Sequence, residues 1–272
     1  MIYSIIIPIY NEEQVIPELY RRLRDVIDSL DQRAEVIFVD DGSIDRSFEV
    51  LSELHRADGR CKVLRFSRNF GHQIAITAGI THSTGNAVIL MDGDLQDPPE
   101  LLPQMIARWK EGYHVIYGVK RSRKENFLKR FAFHFFYQMM NAVSSIHIPM
   151  QAGNFSLMDK SVVDVLRTMP ERNRYISGMR AWAGFKQTGV EFDREARFAG
   201  KPQMSLGRLL HLALDGLFSF SNVPLRLSIY IGFAVAGFSF LLAVYVLYEK
   251  LFTNKAILGW ASTIISITFI GG

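Results

Sequence analysis

From Leu227 to Tyr248 the sequence LSIYIGFAVAGFSFLLAVYVLY runs for 22 residues without a charged side chain. A helix that crosses the hydrocarbon core of a bilayer needs about 20 such residues. A buried helix of a soluble core is a poor match for that length, so a membrane span is expected at about 227–248. After the short polar turn 249–254 and Lys255, a second apolar run goes from Ala256 to Gly272. It is marginal for a span and reads as the start of a second helix, so the chain is expected to form a transmembrane hairpin and to continue past Gly272.

The slightly positive mean hydropathy of the 272 residues is concentrated in that last part. The remainder is long enough for one sizeable domain. One cysteine, Cys61, rules out a disulfide framework, lies in a strand-like run and reads as inert filling. No Cys/His spacing of a zinc site is present. The N-terminal MIYSIIIPIYNEE has no basic stretch before its apolar run, which Pro8 and Asn11 interrupt, so it is not read as a secretory signal. The first domain is therefore expected in the cytoplasm, on the inner face of a bacterial membrane.

Short β-branched runs alternate with helical patterns over the first 120 residues, as in a mostly parallel, Rossmann-like α/β sheet. Strands are expected at Ser4–Ile7, Val36–Val39, Lys62–Phe66, Ala87–Met91 and Val115–Tyr117. Helical spacing joins Ile16, Leu19, Leu23, Val26, Ile27 and Leu30, and again Leu101, Leu102, Met105, Ile106 and Trp109. Ligands of such sheets bind at the carboxyl ends of the strands. Those ends carry Pro8-Ile9-Tyr10-Asn11-Glu12, Asp40-Asp41-Gly42-Ser43 and Asp92-Gly93-Asp94-Leu95-Gln96. No Walker motif or GxGxxG follows a strand, which removes most of the case for an ATPase or a dinucleotide dehydrogenase.

Between Arg108 and Arg130 eight basic residues face only Glu111 and Glu125, a local balance of +6 against +4 for the whole chain. An aromatic, Met-rich stretch follows at 131–140. A basic run feeding such a helix, near 127–142, suits an anionic membrane surface, and no nucleic-acid partner is expected. Residues 205–224 carry a second amphipathic stripe, read as a juxtamembrane helix. The domains are thus expected at 1–204, 205–224 and 225–272.

Asp-Gly-Asp after a buried strand brings two carboxylates near one point, and Gly93 permits a close backbone approach. Such hard oxygen donors suit Mg²⁺ or Mn²⁺ shared with substrate phosphates. Two acids alone are a weak signal, since many merely cap helices. Asp97-Pro98-Pro99-Glu100 reads in that way, as an N-cap, a first-turn proline and a capping-box glutamate. Asp92, Asp94 and Gln96 are not explained by capping, and with Asp41 at a neighbouring strand end and the +6 segment nearby the inventory is that of a metal-plus-nucleotide site beside an anion site.

The segments SIIIPIYNEE, VDDGS, NFGHQIAITAGI, MDGDLQDPPE, MPERNRYISGMRAWAGF and FSNVPLRL together resemble the family 2, GT-A fold glycosyltransferases. Within them the chain is similar to the polyisoprenyl-phosphate glycosyltransferases, the GtrB-like and dolichyl-phosphate-mannose-synthase-like branch. The resemblance spans essentially the whole chain. It implies that Pro8, Tyr10 and Glu12 contact the nucleotide, that Asp41 contacts its base or ribose, and that Asp92, Asp94 and Gln96 hold the metal and the nucleotide sugar. It implies that Lys120, Lys129 and Arg130 bind the acceptor phosphate, although lysine at 120 replaces a common arginine and loses bidentate geometry. Two departures stand out. The family's GDFRLM is here GNFSLM, with Asn154 and Ser156 replacing an acid and an arginine, and Asp159 is the substitute the sequence offers. The usual GxSKYS is GKPQMS, where Lys201 could supply the displaced cation.

The activity implied is metal-dependent, inverting transfer of a hexosyl group, with glucose the expected sugar, from a UDP-sugar to a polyprenyl phosphate such as undecaprenyl phosphate, in cell-envelope glycosylation. An acceptor that is already anionic needs no strong general base. Two other readings compete: a membrane-anchored transferase acting on a sugar hydroxyl, disfavoured by the lack of QxxRW, and a non-catalytic scaffold, for which Asn154 and Ser156 argue. Homo-oligomerisation stays open.

Overall fold

Runs of Ile, Val and Phe that are apolar on both faces can be satisfied only inside a sheet covered on both sides. β1 (Ile2–Ile9) and β2 (Arg33–Asp40) are such strands and pair in parallel from Ile2↔Arg33 to Ile9↔Asp40. The computed structural model describes residues 2–120, 152–171, 174–193 and 223–252, with the isolated positions 259, 263, 266 and 267. Two compact units emerge, residues 1–142 with 146–213, and residues 143–145 with 214–272.

The first unit is built on a seven-stranded sheet of order β3-β2-β1-β4-β6-β5-β7. Its further strands are β3 (Cys61–Arg65), β4 (Ala87–Leu90), β5 (Val115–Lys120), β6 (Ala152–Asp159) and β7 (Gln187–Phe192). Only β6 runs against its neighbours β4 and β5; the other pairings are parallel. The helices are α1 (Ile16–Ser29), α2 (Ser47–Ala57), α3 (His72–His82), α4 (Leu102–Lys110), α5 (Lys160–Thr168) and α6 (Ile176–Trp182). One face of the sheet packs its Ile5, Ile7, Phe38 and Ile89 against Leu19, Leu23, Leu102 and Met105 of α1 and α4. The other packs Ile6, Ile37, Val88 and Met158 against Ile76 and Ile80 of α3, Val162 and Leu166 of α5, and Met179 of α6.

The five expected strands are present, most of them longer than expected. Helix α3 and the elements from β6 to β7 were not foreseen. Helix α3, HQIAITAGITH, has no polar stripe and is rich in β-branched residues, so its composition argues for a strand. β6 and β7 carry Gly, Asn, Ser and Thr between their apolar residues, which hides the alternation.

At the amino ends of β1 and β2, buried Glu35 accepts from Ser4 Oγ, Thr84 N and Lys62 Nζ. That edge is closed by its own polar groups; the carboxyl edge carries the loops described next.

The second unit contains α7 (Val223–Phe252), a 30-residue helix. Its segment Ser228–Glu249 is long and apolar enough to cross a membrane. Within it Phe233, Phe238, Phe240 and Leu241 are more than 60% exposed, which in water would be an unfavourable apolar surface. The expected interfacial helix near 127–142 and residues 205–222 of the expected juxtamembrane helix lie outside the described residues, as does most of the expected second span; residues 223 and 224 open α7 instead.

Candidate active site

Because β2, β1 and β4 are adjacent and parallel, the loops after Ile9, Asp40 and Leu90 leave the same edge of the sheet. The first two are tied together. Asn11 N donates to Ser43 Oγ at 3.0 Å, Ile44 N donates back to Asn11 Oδ1 at 2.9 Å, and Glu12 N donates to Ser47 Oγ at 2.9 Å. Asn11 takes a positive φ of 55°, a conformation its short polar side chain tolerates. Pro8, Tyr10 and Glu12 sit partly buried along this junction.

Asp41 is almost fully buried, and its carboxylate holds the loop that leads into α3. Phe70 N donates to Oδ1 at 2.7 Å and Gly71 N to Oδ2 at 2.9 Å. These bonds fix where α3 begins. The first residue of that helix, His72, reaches Asp92 with Nε2 2.9 Å from Oδ1. Burial works against the charged imidazole, but the bond to Asp92 and the charges of Asp92, Asp41 and Asp97 outweigh it and raise the His72 pKa. In the sequence His72 stands only within the segment NFGHQIAITAGI. No spacing rule links residue 72 to residue 92; only the packing of α3 on the sheet does.

The loop after β4 is tightly wound. A Cβ on Gly93 would stand 2.6 Å from Ile9 Cδ1 and 3.0 Å from the Pro8 carbonyl oxygen, so any larger residue would have to push this loop or the Ile9 side chain aside. Gln96 N donates to Asp94 Oδ1 at 3.1 Å. Leu95 adopts φ 62°, strained for a branched side chain, and is held there by a side chain only 2% exposed in the core.

Asp97 corrects the capping expectation. The helical turn starts at Pro99, because Pro98 precedes a proline and is held extended at φ −73°, ψ 125°. Its cap position thus falls on a residue with no side-chain acceptor. Asp97, 2% exposed, turns inward instead and accepts from Asp92 N at 3.2 Å. Burial first, then the charge of Asp92, pushes its pKa up to about 7, with Lys120 opposing. Glu100 is no capping-box residue either; it pairs with Arg22 of α1 at 2.6 Å.

Lys120 ends β5 on the same edge, since β5 runs parallel to β7 and antiparallel to β6, which itself opposes β4. Lys129, Arg130 and Lys201 lie outside the described residues. Asn154 lies two residues beyond the Leu90↔Ser156 pair, at the level of the Asp92 loop. Asp159 does not replace the missing acid. It pairs with Ala87 at the opposite edge, caps α5 by accepting from Ser161 N at 2.8 Å, and accepts from Trp109 Nε1 at 2.8 Å.

A divalent cation fits this edge chemically. The donors are hard oxygens, and the Asp97 pKa, raised first by burial, is raised further by the charges of Asp92 and Asp94 beside it. Among the described residues no three His, Cys, Asp or Glu side chains form a closed metal site. A cation at Asp92 and Asp94 would therefore complete its shell with substrate oxygens and water, as Mg²⁺ does in phosphate sites.

Residues 4–167 match the sequence profile of glycosyl transferase family 2. The chain is 48% identical over 264 residues to the uncharacterized glycosyltransferase YkcC of Bacillus subtilis (strain 168), covering 97% of this chain and 82% of that one. It is 36% identical over 270 residues to the prophage bactoprenol glucosyl transferase homolog of Escherichia coli (strain K12), covering 99% and 88%. Among solved structures, glucosyl-3-phosphoglycerate synthase from Mycobacterium tuberculosis in complex with Mn²⁺, uridine diphosphate and glucosyl-3-phosphoglycerate superposes with a TM-score of 0.56 at 18% identity. That alignment covers 80% of this chain and 78% of the synthase, and the likeness is one of fold, GT-A.

Proposed function

The chain belongs to glycosyl transferase family 2 and is a glycosyltransferase, and from that premise we propose that it moves a hexosyl group, glucose, from a UDP-sugar to the phosphate of a polyprenyl lipid at the cytoplasmic membrane face. The observation that carries the reading is the charge pattern of the β4 edge: Asp92, Asp94 and buried Asp97 gathered in one loop, with the β5 cation Lys120 bearing on them. Relatives named bactoprenol glucosyl transferases, alike over nearly the whole chain, support the acceptor, and the apolar segment Ser228–Glu249 supports a membrane location.

In this reading Pro8, Tyr10, Glu12 and Asp41 bind the nucleoside on the β1–β2 side. Asp92, Asp94 and Gln96 hold Mg²⁺ or Mn²⁺, which when bound neutralises charge on the departing nucleoside diphosphate. Lys120, Lys129 and Arg130 hold the lipid phosphate in line with the anomeric carbon. A phosphate oxygen forms the new bond as the bond to the diphosphate breaks, with inversion. Asn154 bears on the alternative. A sugar-hydroxyl acceptor calls for a general base, and asparagine cannot serve as one, whereas an anionic phosphate needs none.

Asp94→Ala should abolish metal-dependent formation of lipid-linked sugar while leaving the thermal unfolding curve in place. Membranes carrying the wild-type chain, incubated with undecaprenyl phosphate and a panel of radiolabelled nucleotide sugars, should yield one acid-labile, single-sugar lipid. Full activity in the Asp94→Ala variant would remove the site assignment, and a labelled glycan in place of a phosphate-linked lipid would favour the hydroxyl acceptor.

A further inference from the structure

Arg180, in the second turn of α6, is only 1% exposed and heads the fully buried side chains by size. Its Nη2 donates to the Gly153 carbonyl at 3.3 Å, and its guanidinium carbon lies 5.6 Å from the centre of the Tyr117 ring. Nε and Nη1 have no hydrogen-bond partner among the described residues. Desolvation pushes its pKa down to about 10, and the groups that oppose this are Tyr175 and Tyr117, neither a carboxylate. A buried cation with no counter-ion among the described residues is a heavy burden on a fold, and an apolar side chain of similar volume would fill the space better. Among the described residues no carboxylate offsets this charge, which an arriving anion would do.

The surroundings say where an anion would meet it. Ser177, one helical turn before Arg180, donates its hydroxyl to Asn154 Oδ1 at 3.0 Å, with the Gly153 carbonyl oxygen 3.3 Å from the same Oγ. α6 thus grips the head of β6 with two side chains. The ammonium of Lys120 comes to the same residue: a Cβ on Gly153 would lie 3.6 Å from Nζ. Lys120 and Arg180 therefore both reach Gly153, at the end of β6 level with the Asp92 loop. In the sheet order this end lies across β4 from β1 and β2, away from the Asp41 loop.

We propose that Arg180 is a positioning residue for the acceptor phosphate: it fixes the Gly153–Asn154 corner and places a permanent positive charge behind Lys120, so that an oxyanion arriving beside Gly153 meets two cations. The proposal rests on the reading of Lys120 as an acceptor-phosphate residue.

The test uses the full chain with Arg180→Met, Arg180→Gln and Arg180→Lys, measuring KM for each substrate and the melting temperature. Removing an unpartnered charge should leave Arg180→Met melting at or above wild type. Its KM for polyprenyl phosphate should rise about tenfold, with the KM for nucleotide sugar unchanged. Arg180→Gln, which keeps a donor for Gly153 without the charge, should show the same split even if the Met variant does not fold, and Arg180→Lys should recover part of the loss. An unchanged acceptor KM in Arg180→Gln, or a rise confined to the nucleotide sugar, overturns the proposal. If the wild-type chain makes no lipid-linked sugar from any donor, the proposed function fails, and Arg180 is judged by binding alone. Vesicles carrying polyprenyl phosphate should then retain more wild-type chain than plain vesicles, and Arg180→Gln should lose that increment; an increment that survives the substitution overturns the proposal.

Discussion

Burial lifts the Asp97 carboxyl from the ordinary aspartate value of 3.8 to about 7, so the folded chain holds a proton there that the unfolded chain releases. Between those two values the folded state binds more protons, and stability therefore falls as pH rises. The burden is absent below the unfolded value and complete above about 7. Asp97→Asn keeps an acceptor for Asp92 N and cannot ionise. In metal-free buffer it should be more stable than wild type by about 2 kcal/mol at pH 8, with the gain shrinking as pH falls and vanishing near pH 4. Denaturant melts at several pH values measure this, and equal midpoints at pH 8 would contradict a carboxyl whose charge burial disfavours. The same residue marks the limit of reading single positions from sequence. Asp92 and Asp94 stand out because a glycine separates them at a strand end. Asp97 resembles a cap until the second proline is allowed to delay the helix, a local effect the sequence does contain. His72 and Arg180 carry no such signal, since their meaning lies in contacts with Asp92 and Gly153 that are distant along the chain.

Helix α3 is the element on which the site most depends, because it carries His72 to Asp92 and its entry loop is tied to Asp41. It lies close on β1 at one point. A Cβ at Gly79 would stand 2.2 Å from Ile6 Cγ2, in the middle of the sheet. Gly79→Ala gains helix propensity but must push α3 off β1, and overpacking of this kind costs about 1–3 kcal/mol. Thermal unfolding should show a lowered midpoint together with reduced transferase activity. Paired with Ile6→Ala, which removes the opposing methyl, the two changes should cost less than their sum. Strict additivity would mean that the contact does not set the helix position. Strands β1 to β5 were legible because each is a compact β-branched run ending in polar loop residues. α3 was not, since a helix wedged against a sheet with small residues needs no polar stripe. β6 was hidden for a related reason: its alternate residues Asn154 and Ser156 face a layer that is polar near the site, so the pattern that would announce a strand is broken where the chemistry needs it.

At the scale of the whole molecule, the proposed reaction would bring a water-soluble sugar donor to an acceptor confined to a bilayer, and a helix long and apolar enough to cross one would hold the chain there. The 22-residue segment Ser228–Glu249 is about 33 Å long as a helix, enough for a hydrocarbon core of about 30 Å. Exposed Phe238 and Leu241 lie near its middle, and Tyr230 near its start. An arginine near the centre of a span costs about 2.5–3.5 kcal/mol of insertion free energy, whereas one near an end can extend to the interface. Phe238→Arg combined with Leu241→Arg should therefore drive much of the chain out of membranes washed with alkaline carbonate, while Tyr230→Arg should stay in them. Transfer to a short, water-soluble prenyl phosphate should survive in the displaced double variant, because neither position belongs to the sheet that carries the proposed site. Transfer to undecaprenyl phosphate in vesicles should fall with membrane retention. If the double variant stays in washed membranes as fully as wild type, this helix is not what holds the chain there; if it leaves and still glycosylates the long lipid at the wild-type rate, the span is dispensable to the reaction.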